Sequence, residues 1–114
     1  MNKVLYNVTV SIDADIESEW LTWMKEVHIP EVMQTGYFLS NKICRVHGYE
    51  EGGLTYAIQY IARSMDDYTA YQQDFAPRLQ AEHTKKYQGK FEAFRTLLEI
   101  VHEIDASLPD ISAN

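Results

Sequence analysis

Between Val4 and Ile12 the chain alternates, with Val4, Tyr6, Val8, Val10 and Ile12 on one parity and Leu5, Asn7, Thr9 and Ser11 on the other. This period of two predicts a β-strand with one strongly apolar face. Asp13 and Asp15 interrupt the pattern, and either can cap a following helix. In that helix Ile16, Trp20, Trp23, Met24 and Val27 recur at helical spacing and form one apolar stripe. Ile29 precedes Pro30 and is biased away from helix, so the segment is expected to end near His28. Pro30 suits the opening of one further turn, which Gly36 can close in a left-handed conformation.

From Tyr37 to His47 extended-type residues dominate, but Phe38, Cys44 and Val46 fall on one parity and Leu39 and Ile43 on the other. A bulge, or burial of both faces, accounts for that. Tyr49 to Gly53 reads as the turn of a hairpin into a second alternating run, Leu54, Tyr56, Ile58 and Tyr60. Ser64 to Asp67 has the spacing of a capping box. The helix it opens carries Tyr68, Tyr71, Phe75, Leu79, His83 and Tyr87 along one side, with Pro77 inside. Proline lacks an amide donor and crowds the preceding turn, so a kink or break is expected around residues 73–76, with Asp74 as a candidate cap. Gly89 ends the helix. Phe91 to Ile104 reads as a long last strand, with Phe94, Leu98, Ile100 and Ile104 on one parity.

The order β-α-β-β-α-β, joined by right-handed crossovers, predicts an α+β ferredoxin-like fold: a four-stranded antiparallel sheet with both helices on one face. A single domain over residues 1–105 and a frayed tail over 106–114 are expected. The bare sheet face would carry Leu5, Ala57 and Ile61 among polar residues, which suits a homodimer packed through that face, the dimeric α+β barrel arrangement.

Composition narrows the function. The net charge of −7 argues against nucleic acid as a partner, since phosphate contacts need a basic surface. Arg78, Lys85, Lys86, Lys90 and Arg95 cluster, but cations near a helix end also complement its dipole. No apolar run is long enough to span a membrane, and no secretory leader pattern opens the sequence. A single cysteine, Cys44, precludes an internal disulfide framework; together these features lead to a cytoplasmic expectation. Cys44 itself reads as packing.

Asn7-Val-Thr-Val10, the block Glu19 to Met33, Ala76-Pro-Arg-Leu79 and Gly89 to Arg95 resemble a family of short single-domain bacterial proteins known as a domain of unknown function. The likeness covers the chain to about Ile104. More loosely, the layout is similar to the dimeric α+β barrel superfamily, which includes cofactor-independent monooxygenases, muconolactone isomerase-like enzymes and haem-degrading enzymes. That resemblance implies a ligand cavity between a sheet and its own helices.

His28 is the candidate catalytic group, because an imidazole at a helix C-terminus is favoured as a cation and titrates near neutrality. Its structural alternative is to hold the His-Ile-Pro turn in shape. Trp20, Trp23, Tyr56 and Tyr60, with Tyr68 and Tyr71 beside them, are candidates to line a site for a small apolar or aromatic ligand. Aromatic residues at core spacing are equally the material of a core. His83 shares a stripe with Leu79 and Tyr87, so it can meet His28 across a cavity mouth. Arg78, Arg45 and Arg95 are candidate carboxylate clamps, unless they pair with acids such as Glu92 or Glu99. No His-x-His or His-Glu-x-x-His spacing exists, and no metal site is assigned. Gly52-Gly53 is not a phosphate loop, and no cofactor is called for.

The leading reading is a small-molecule-binding dimeric barrel, with cofactor-independent oxidoreductase or isomerase chemistry as its enzymatic form. The alternative is a non-catalytic dimeric structural, effector-binding or protein-interaction module.

Overall fold

The computed structural model describes residues 1–48 and 54–106. The Tyr49–Gly53 turn and all but the first residue of the 106–114 tail lie outside the described residues. Four strands, β1 (Val4–Ile12), β2 (Phe38–Arg45), β3 (Leu54–Ala62) and β4 (Phe91–Glu99), form one antiparallel sheet in the order β2-β3-β1-β4. The order follows from the two alternating runs. β1 and β3 each have a buried parity, and they occupy the centre, where both neighbours are strands. The ferredoxin-like layout is therefore present.

Register decides which residues face the helices. Tyr6 lies opposite Tyr60 and Leu97, and Val10 opposite Tyr56 and Ala93. On the helix side Val4, Tyr6, Val10, Ile12, Tyr56, Ile58 and Tyr60 are buried with Trp20, Met24, Val32 and Leu79 in one core. Tyr6 is its aromatic hub, with ring centroids of Tyr68, Tyr60 and Phe38 at 5.1, 6.0 and 6.2 Å. The imperfect alternation of the second strand resolves as a register shift between Phe38 and Ser40, a bulge at Leu39.

Helix α1 (Glu17–Trp23) does not stop at His28. It continues through a π-helical turn, Met24–His28, into α2 (Ile29–Gln34), with Ile29 in ordinary helical conformation. The proline rule was overridden by widening the helix. The amide of Ile29 reaches back five residues to the carbonyl of Met24, so the ladder absorbs the donor that Pro30 lacks. Gly36, at φ +84°, then closes α2, and its amide returns to Met33. Neither early aspartate caps a helix through its side chain: Asp13 makes no cap bond, and Asp15 pairs with Lys90 at 3.5 Å.

The second helical stripe breaks where Pro77 requires. Helix α3 (Met65–Asp74) starts on a Ser64 hydroxyl that accepts from the Asp67 amide at 3.2 Å. Helix α4 (Ala76–Tyr87) restarts after Phe75, and Asp74 does not cap it.

The last strand ends at Glu99, five residues short of the expected Ile104, and His102 lies beyond it; His47 likewise falls in a turn after β2 rather than in a strand. β4 is an edge strand that the helices cover only at its start: Phe91 and Ala93 are partly buried against the core, whereas the inward-facing Arg95 and Leu97 are exposed. On the opposite sheet face Ile61, Leu5 and Leu98 form one cross-strand row, and Ala57, Thr9 and Phe94 another. Phe94 is 63% exposed and Leu98 46%. Cys44 also lies on this open face, opposite Ala57, and is exposed rather than packed. No helix among the described residues is long and apolar enough to cross a membrane.

Candidate functional site

Where the π turn and α4 meet the sheet beneath β1, β3 and β4, a cavity of about 50 Å3 remains. Its floor is Val8, Val10 and Ala93, and its roof is Met24 and Leu79. This is smaller than the several hundred Å3 usual for a drug-sized ligand. Its polar groups set it apart from the rest of the core: His28, His83, Arg95 and the phenol-bearing Tyr6, Tyr60 and Tyr71 all line it.

Of the candidates named from the sequence, His28, His83, Tyr60, Tyr71 and Arg95 are brought by the fold to one cavity. The imidazoles of His28 and His83 lie 5.8 Å apart, centroid to centroid. Trp20, Trp23, Tyr56 and Arg78, also named, do not line it. Trp20 is fully buried in the core behind His83. Trp23 stacks outside on His28 at 5.1 Å and 24°. Tyr56 is turned to Glu17, to which its hydroxyl donates a short hydrogen bond. Arg78 is on the exterior, 3.1 Å from Glu82 and 3.7 Å from Glu31, where it ties α4 to α2. Tyr6, Gln80 and Thr84 line the cavity without having been singled out. Tyr6 shares the parity of Val4 and Val8 and carries no signal beyond that of its strand, and the two helix positions lie beside His83 rather than on the aromatic stripe.

The indole nitrogen of Trp20 donates to Nε2 of His83 at 2.9 Å. An indole can only donate, so Nε2 is unprotonated and the remaining proton of His83 sits on Nδ1. His28 offers a contrast: its Nδ1 is buried with no partner among the described residues. Burial holds the pKa of His28 down at about 4, against the opposing pull of Glu82. His83 is pushed down to about 4 as well, by burial first, then by His28 and by Arg95. Both rings are therefore neutral at pH 7. The expectation of a near-neutral His28 assumed a helix end; the π turn carries the helix past it, and burial decides instead. Burial also raises the phenols of Tyr60 and Tyr71 above their usual range, so they are neutral hydrogen-bonding groups and not bases.

Arg95 enters from the edge strand. Its Nε donates to the Tyr6 hydroxyl at 3.1 Å, and neither Glu92 nor Glu99 pairs with it. No carboxylate lies within 4.0 Å of its guanidinium among the described residues, and no group of three His, Cys, Asp or Glu side chains there converges as metal ligands would. Of the other clustered cations, Lys86 pairs with Glu19 at 3.8 Å and Lys90 with Asp15.

Solved structures share this architecture at low identity. A dimeric ferredoxin-like protein from an uncultured marine organism superposes with a TM-score of 0.67 at 13% identity, covering 90% of this chain and 98% of that one. A candidate antibiotic biosynthesis monooxygenase from Bacillus cereus gives 0.66 at 8%, covering 93% and 100%. The haem-degrader MhuD of Mycobacterium tuberculosis, solved with two haems in its active site, gives 0.65 at 16%, covering 90% and 99%. At such identities the likeness shows the fold alone. No curated protein matches the chain. A family model does match, over residues 3–101, and the chain belongs to that family, described as Domain of unknown function (DUF4286).

Proposed function

We propose that this chain is a small-molecule-binding protein of the dimeric α+β barrel type, with its ligand held between helices and sheet by His28, His83, Tyr60 and Arg95. The observation that carries this is His28, which lines a cavity where an otherwise apolar core turns polar and whose Nδ1 is buried without a partner among the described residues. Leaving such a group unsatisfied costs about 1–3 kcal/mol, a cost a bound ligand would remove. The ligand-bearing active site of MhuD supports the reading by analogy of fold, although a 50 Å3 space is far too small for haem.

Binding is favoured over proton transfer. A base with a pKa near 4 is poorly matched to chemistry at pH 7, so His28 serves first as a hydrogen-bonding anchor. Isomerase or oxidoreductase chemistry would require the ligand to raise that pKa.

The homodimer rests on the open sheet face. The row of Ile61, Leu5 and Leu98 and the exposed Phe94, with the polar row of Gln59, Asn7 and Thr96 between them, make a half-apolar face that a second copy would cover. The marine neighbour, described as dimeric, supports it.

The test is a ligand-observed NMR screen of small neutral and charged compounds against the parent and His28→Leu. Binders that the substitution abolishes uphold the reading. A panel with no binder, or binders indifferent to His28, overturns it.

A further inference from the structure

The chain holds 17 acidic residues against 10 Lys and Arg, yet among the described residues no Asp or Glu lines this cavity, and Arg95 is the one ionised side chain that does. Glu82 acts on His28 from outside the lining and is held by Arg78. The site therefore carries a local charge opposite to that of the whole protein. At physiological salt the remote acids are screened beyond about 8 Å, whereas a group inside the cavity meets Arg95 directly.

Resting on the small-molecule reading above, we infer that the cavity takes a small carboxylate, with its anionic end on the Arg95 guanidinium and its other end against His28 and His83.

Arg95 is prepared for that task. The Tyr6 hydroxyl takes its Nε–H at 3.1 Å, which anchors the guanidinium plane. No described carboxylate occupies the terminal nitrogens, which present the planar fork that matches a carboxylate. The arginine is also close enough to the rest of the site for its charge to act on both His83 and Tyr71. Its place on the exposed part of an edge strand leaves an entry from solvent.

The other end of the site offers hydrogen bonds without charge. His83 has its proton on Nδ1, because Trp20 occupies Nε2. His28 supplies a nitrogen with no partner. A single positive charge beside two neutral rings suits a monoanion; a phosphate dianion would leave one charge uncompensated in a partly desolvated space. Size sets the rest. A water needs roughly 10–15 Å3 of such space, so 50 Å3 holds about four waters, or a molecule of about four to six non-hydrogen atoms.

The probes are pyruvate and crotonate, with pyruvamide and crotonamide as neutral counterparts, titrated into full-length protein by 1H–15N NMR. The reporters are the Arg95 Nε–H and Trp20 Nε1–H resonances. Saturable shifts at both are expected with the acids, with at least tenfold weaker binding for the amides. Arg95→Gln should lose the acids by at least tenfold, and Arg95→Lys should keep part of the binding. Should Arg95→Gln fail to fold, the acid-against-amide ratio in the parent carries the test alone. Amides that bind as well as acids overturn the carboxylate assignment and leave the small-molecule reading standing. Acids that bind without moving either reporter overturn it too. Silence from every probe, together with an empty general screen, sinks both.

Discussion

The indole of Trp20 donates to Nε2 of His83 across 63 positions of sequence, at 2.9 Å and inside the core. The bond ties α1 to α4 and sets the tautomer of a cavity-lining histidine in one contact. A fully buried tryptophan is thus part of the site's wiring without touching the cavity.

That bond predicts a graded response to substitution. Trp20→Phe keeps most of the ring volume but leaves His83 Nε2 without its donor, which should cost about 1–3 kcal/mol. Trp20→Ala removes the ring as well and should cost about 3–5 kcal/mol. Urea unfolding of both variants checks the order; equal losses would mean that the hydrogen bond contributes nothing.

His28→Leu should behave differently. It replaces an imidazole whose Nδ1 has no partner by an apolar group of comparable size, so stability should stay within about 1 kcal/mol of the parent or rise. Ligand binding should fall in the same protein. A melt far below the parent would instead make His28 a fixture of the π turn.

Acid should destabilise the fold through the two imidazoles. Each has an ordinary pKa of 6.5 when unfolded and about 4 when folded, so between those values the unfolded chain binds more protons. Their stabilising contribution is complete above pH 6.5 and is lost as the pH falls toward 4, by at most roughly 3 kcal/mol for each ring. Urea titrations at pH 7, 5.5 and 4.5 should show the decline, and His28→Leu should make it shallower. An unchanged midpoint between pH 7 and 4.5 would refute the burial of neutral rings.

The open sheet face predicts the assembly. Sedimentation at micromolar concentration should find twice the mass of one chain, and Ile61→Glu or Leu98→Glu should shift it to monomer, because Leu5 lies between those two residues in one row. A parent protein that sediments as a monomer removes the barrel reading.

Local physics made much of the fold legible from residues alone. The alternation of Val4 to Ile12 demanded a half-buried strand, Ser64 supplied a cap, and Pro77 had to break a helix because it lacks a donor; each depends only on neighbours in sequence. Pro30 obeyed the same chemistry with a different outcome. The packing of Met24, Ile29 and Val32 into the core kept the helix going, so the ladder widened instead of ending. The site was legible only in fragments. His28, His83, Tyr60, Tyr71 and Arg95 carried the right chemistry, but Tyr6 and Arg95 meet across 89 positions because β1 and β4 happen to be neighbours. Spacing determines which face of an element is apolar. Which elements then touch, and hence which buried polar groups find partners and which, like His28 Nδ1, do not, is decided by the packing of the whole chain.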